Sequence, residues 1–197
     1  MSNLRDKTEQ IFKGAIAVFI KKGLQATTQE VAEEADVAEV TLYRKFSTKE
    51  NLFVTALKNV LEKKFHSRVL EMAKEDDTEI FFRKIIENRL EILSKNEQLV
   101  KMLLSESLRG NLSGKLNLPE IIFSSLKEGL EHHFQSNMQK VDVDFCARQL
   151  SGIFLSYIAL PGSQPFNKLT KEEKKDIVEK HAKSVLAVLE ICHNSGS

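Results

Sequence analysis

The chain has 197 residues, 42% of them hydrophobic, enough for one compact domain or for a small domain joined to a larger one. Lys and Arg number 29 against 28 Asp and Glu, a net charge of +1, which excludes the uniformly basic body of a non-specific nucleic-acid coat and confines any DNA contact to a local patch. The two cysteines, Cys146 and Cys192, lack the close spacing of a zinc or redox motif and read as structural thiols in a reducing compartment.

Residues 1–10 are polar and charged, unlike a secretory leader, and no later segment approaches the roughly 18 uninterrupted apolar residues of a membrane span; a cytoplasmic location without membrane contact is expected. Ile11, Phe12, Ala15, Ile16, Phe19 and Ile20 then recur at i, i+3, i+4 spacing and predict an amphipathic helix. Lys21 and Lys22 suit its negative end, and Gly23 suits a left-handed stop. Thr27 and Glu30 have capping-box spacing and open a second helix with Val31, Ala32 and Ala35 on its buried face. After a break at residues 35–37, Glu39 to Phe46 forms a short third helix anchored by Leu42 and Phe46, with Thr41, Tyr43, Arg44 and Lys45 pointing elsewhere.

Ser47 and Glu50 again match a capping box and start a long helix, expected to run to about Lys74 on Leu52, Phe53, Ala56, Leu57, Val60, Leu61 and Phe65. Helical patterns continue over residues 78–94, 97–109, 119–138, 143–159 and 170–191, while residues 160–165 must form a loop. No strand alternation is convincing, so the fold class is all-α.

A short helix with a Thr, Tyr, Arg and Lys face, braced against a preceding helix, is what reading a DNA major groove requires. The run Thr27-Thr28-x-x-Val31-Ala32-x-x-Ala35-x-Val37-x-x-x-Thr41-Leu42-Tyr43-Arg44-x-Phe46-x-x-Lys49-Glu50-x-Leu52 resembles the N-terminal signature of the tetracycline-repressor (TetR) family, and covers about a quarter of the chain. The resemblance implies a three-helix DNA-binding domain with a helix-turn-helix over residues 1–48 and a helical effector-binding and dimerisation domain over 49–197. It implies DNA contacts from Thr27 and Thr28, with Thr28, Tyr43 and Lys49 on phosphates. Gln29, Glu39, Val40, Thr41 and Lys45 approach bases or the groove wall, and Arg44 serves either task. The sequence departs from the family pattern at Asp36, where Gly is usual; at Ala38, where a Ser cap worth roughly 1 kcal/mol is usual; and at Val40, where a smaller residue is usual. Glu39 is expected to face solvent and the helix dipole, or else a cytosine amino group.

The partners so implied are double-stranded DNA carrying a palindromic operator, a second copy of the chain, and a small apolar effector that releases a repressor from DNA. No cofactor and no metal are expected. Dimerisation is expected through the last two helices, with Phe154, Tyr157, Ile158, Val185 and Leu189 in the interface. Phe65, Phe81, Phe82, Ile85, Arg89, Met102, Ser107 and Phe123 are the candidate effector lining. The helix from Asn51 to Lys74 is the candidate lever between pocket and DNA. An enzyme is disfavoured: adjacent His132 and His133 face different directions on a helix, and zincin, phosphate-loop and nucleophile-elbow spacings are absent. The alternative is a helical protein-interaction module that has lost DNA binding.

Overall fold

The computed structural model describes residues 2–61, 65–111, 118–136, 141–160 and 164–194. Among them every regular element is helical, and no helix is long and apolar enough to cross a membrane. The chain forms two compact units, one of Met1–Lys64 with Met102–Asn117, the other of Phe65–Lys101 with Leu118–Ser197.

The first unit is built on α1 (Ser2–Lys22), which starts nine residues before the apolar stripe. That polar first half is tethered by its side chains: Gln10 donates 2.9 Å to the Ala35 carbonyl, and Thr8 accepts from Lys45. Gly23, at φ 59°, ends the helix in a left-handed residue, followed by a 3₁₀ turn at Gly23–Gln25. α2 (Thr28–Glu34) is opened by the expected capping box, with Thr27 and Glu30 serving each other's backbone N–H at 3.2 and 3.0 Å. α3 (Glu39–Phe46) follows a turn in which Asp36 takes φ 49°. α4 (Lys49–Leu61) carries Leu52, Phe53, Ala56 and Leu57 into the same core, and the Phe19 and Phe53 rings meet edge-on at 4.6 Å. This packing makes α4 part of the first unit.

One local expectation is corrected. Ser47 does not cap α4: it adopts φ 64°, and Thr48 accepts the Asn51 N–H at 3.1 Å instead. The continuity of the helix expected to Lys74 turns on residues 62–64, which lie outside the described set. Phe65 and His66 form a wide π-type turn, and α5 (Ser67–Met72) belongs to the second unit.

The second unit centres on α6 (Thr78–Lys95), capped by Asp77 at 2.8 Å. Phe81, Phe82, Ile85, Ile86 and Leu90 pack with α8 (Leu118–Ser136), α9 (Val143–Ala159) and α10 (Lys171–Asn194) in one apolar core. Arg83 bridges to Glu179 at 2.9 Å and Lys174 to Glu91 at 3.0 Å, pinning α10 to α6. α7 (Glu97–Leu108) is divided at Lys101 between the units. His133 is fully buried and stacks on Phe81 at 4.2 Å, a core role. Burial pushes the Cys146 thiol up to about 12, as befits an inert structural cysteine; the Cys192 side chain and much of the loop at 160–165 lie outside the described residues.

Candidate nucleic-acid interface

α3 is too short to persist alone, so its neighbours must hold it. Leu42 and Phe46 do so from one face: both are buried, and the Phe46 ring lies 5.9 Å from that of Phe12. Each contributes roughly 1.5–3 kcal/mol by leaving water. The opposite face is open, with Val40 71% and Tyr43 51% exposed and Arg44 and Lys45 also exposed. Ala38 offers no side-chain cap, while Glu39 in the first turn and Arg44 and Lys45 in the last complement the helix dipole.

The side chains expected to contact DNA divide into two groups. Val40, Thr41, Tyr43, Arg44 and Lys45 lie on α3, of which Lys45 is braced by Thr8 of α1. Gln29 is exposed on α2 and donates 3.1 Å to Glu33, and Thr27 serves its capping box. Thr28, Glu39 and Tyr43 form a connected cluster. Thr28 is only 8% exposed, and its hydroxyl lies 2.6 Å from Glu39 Oε1, to which it donates, and 3.0 Å from the Tyr43 hydroxyl. Glu39, half-buried in the first turn of α3, therefore accepts from the Thr28 hydroxyl, because the α2–α3 crossing brings residues 28 and 39 together. Lys49 is half-buried and donates 2.7 Å to the Leu24 carbonyl, which ties the start of α4 to the turn after α1. Thr8 and Thr48 are the residues that sequence reasoning missed. A Thr three residues before Asn51 was the available signal for the second, whereas the first depends on a contact 37 residues away.

In the second unit the expected effector and dimer residues are placed differently. Phe81, Phe82 and Ile85 are fully buried in the core. Phe65 is half-buried beneath Arg89, and Phe123 is half-buried with Arg148 over its ring at 5.2 Å. Met102 and Ser107 belong to the first unit. A cavity of about 730 Å³ is lined instead by residues such as Leu93, Glu97, Tyr157, Phe166, Ile177 and His181; none of the eight expected lining residues borders it. Of the five residues expected in the dimer interface, Phe154, Ile158, Val185 and Leu189 are buried within the protomer and Tyr157 is exposed. The apolar residues that α9 leaves uncovered are Phe145, Leu155 and Tyr157, with Leu160 just beyond its end and Gly152 exposed between them.

Comparison with known proteins agrees with this geometry. The profile described as "Bacterial regulatory proteins, tetR family" matches residues 11–56, which covers α1 from Ile11 through most of α4. A segment of 50 residues is 40% identical to the uncharacterized HTH-type transcriptional regulator YvkB of Bacillus subtilis; the match spans 25% of this chain and 26% of that relative. Over most of its length the chain has the fold of a Mesorhizobium loti protein described as a TetR-family transcriptional regulator, with TM-score 0.69, 17% identity, and coverage of 93% of this chain and 96% of that one. It is also similar to FadR of Bacillus subtilis, solved in complex with stearoyl-CoA, with TM-score 0.58, 20% identity, and coverage of 91% and 96%. The local signature over residues 11–56 thus matches the DNA-binding segment of the TetR family, and the chain as a whole shares its fold with solved TetR-family proteins.

Proposed function

We propose that the protein is a cytoplasmic, homodimeric repressor that binds a palindromic operator through two copies of α3 and leaves it when a small apolar effector binds the second unit. The observation that carries this reading is the two-sidedness of α3: Leu42 and Phe46 clamp one face while Val40, Tyr43, Arg44 and Lys45 stand in solvent on the other. A surface of hydroxyl, guanidinium and ammonium groups suits phosphate and base-edge contacts. Thr28, Tyr43 and Lys49 are the phosphate contacts of this reading; Gln29, Val40, Thr41 and Lys45 meet the groove, and Arg44 does either. A single α3 gives weak specificity, so two half-sites about 34 Å apart are needed. The dimer contact is assigned to the uncovered stripe Phe145, Gly152, Leu155 on α9, where the small glycine lets a second helix approach.

Release requires an effector that binds the DNA-incompetent state more tightly than the competent one. The stearoyl-CoA bound to the FadR neighbour supports an apolar effector for this chain, and Phe65, Phe82, Ile85 and Phe123 remain its candidate contacts. Selection of bound duplexes from a random pool tests the reading. Recovery of an inverted repeat, bound with a steep salt dependence, is expected; failure to enrich any duplex above background overturns it in favour of a protein-interaction module.

A further inference from the structure

α6 carries one residue that an apolar core does not require. Arg89 lies one turn beyond Ile85 and Ile86 and beside Leu90, and only 1% of its surface reaches solvent. Its guanidinium carbon sits 4.4 Å from the centre of the Phe65 ring, and Nη2 donates 2.7 Å to Asn88 Oδ1. Nε and Nη1 are buried with no hydrogen-bond partner. Among the described ion pairs none includes Arg89. The charge that acts on it is a second cation, Arg68; burial and that repulsion bring its pKa down to about 10, which leaves it charged at neutral pH. One ring face and one amide oxygen return less than the removal of a guanidinium from water costs. A Leu or Met would fill the same register without that penalty, so a purely structural role does not account for the residue.

We infer that Arg89 is the head-group site for an anionic amphiphile, a monocarboxylate whose apolar tail lies against Phe65. A carboxylate brought against the buried guanidinium supplies the missing acceptors and the missing charge together, whereas a neutral apolar molecule leaves Nε and Nη1 unpaired. One negative charge also matches one guanidinium, since Arg68 already has Glu71 at 2.8 Å. Phe65 is the cover: it is half-buried in the wide turn before α5, and displacement of its ring uncovers Arg89. The inference rests on the effector reading above and names the effector's chemical class.

The test compares three probes of equal chain length on the full-length protein: sodium laurate below its micellar range, dodecanol and dodecylammonium chloride. Thermal unfolding of the wild type is expected to shift upward with laurate, less with dodecanol and least with the cation. R89M is expected to melt at the same temperature or higher without ligand and to bind laurate at least tenfold more weakly, with its preference over dodecanol lost. Equal shifts from laurate and dodecanol in the wild type overturn the inference without recourse to any variant, as does R89M that keeps the preference. Fluorescence anisotropy with selected operator DNA separates the two readings. Laurate that binds through Arg89 but leaves operator affinity unchanged supports the site and sinks effector release; DNA binding with no carboxylate preference sinks the site alone.

Discussion

Glu39 places a carboxylate within the group of side chains expected to hold a DNA phosphate, and its removal gives a quantitative test of the interface. Thr28 lies between Glu39 and Tyr43, 2.6 Å from one and 3.0 Å from the other. A phosphate oxygen taking the place of Glu39 on the Thr28 hydroxyl would stand on the order of 4 Å from the displaced carboxylate. Like charges at that distance repel by about 1 kcal/mol in water and by about 0.6 kcal/mol once physiological salt screens them. Glu39→Gln removes that repulsion but keeps an acceptor for Thr28. Two copies in the proposed dimer then yield about 1.2–2 kcal/mol, roughly 8- to 30-fold tighter binding. Phosphates are common to every sequence, so the gain is expected on operator and scrambled duplexes alike in anisotropy titrations. Loss of the carboxylate from the first turn of α3 should lower thermal stability slightly, by about 0.3–1 kcal/mol. An altered preference at one base pair, with other duplexes unchanged, would refute the reasoning and show that Glu39 reads a cytosine amino group. Weaker binding to every duplex would refute both.

Gly14 lets α1 and α2 approach closely: a Cβ there would lie 2.8 Å from Ala35 Cβ and 3.0 Å from its backbone, so Gly14→Ala should destabilise the protein by about 1–3 kcal/mol in a circular-dichroism melt and weaken DNA binding. Burial lowers the pKa values of His133 and His181, so the unfolded chain binds more protons than the folded one near the ordinary histidine value. Stability is full above about pH 6.5 and falls as pH drops through the lowered folded values; Tm should therefore decrease from pH 7.5 to 5.5, and His133→Phe should flatten the slope. Leu155 is 49% exposed on α9, so Leu155→Glu should leave the protomer's melting cooperative while sedimentation shows a monomer; a dimer of unchanged strength would move the interface elsewhere.

The helix-turn-helix was legible because its signals are short-range. The Thr27–Glu30 box, the Gly23 stop and the Leu42–Phe46 pair each act within one or two turns, and the folded chain realises all three. The Thr28–Glu39–Tyr43 cluster was not legible as a contact, because its members are 11 and 15 residues apart and meet only once α2 and α3 cross. Ser47 and Thr48 are both acceptable caps by composition; the left-handed backbone at Ser47 assigns the task to its neighbour.

On α9 the limit is of a different kind. Apolar periodicity identifies a helix that buries two faces but does not say which face meets the same protomer. Phe154 and Leu155 are adjacent, yet the first lies in the core and the second is open to solvent. The apolar run read as an interface thus holds residues of both kinds. The same ambiguity covers Phe81, Phe82 and Ile85, since aromatic and branched residues at helical spacing describe a pocket wall and a packed core equally well. Arg89 escapes the ambiguity. Its place in the apolar register of α6 is visible in the sequence, and a cation at a core position must find an anion, stay unsatisfied, or be replaced by an apolar side chain. The structure shows no internal anion for it among the described ion pairs, which makes a charged residue in a hydrophobic register the sharper pointer to a ligand than any of the aromatic residues around it.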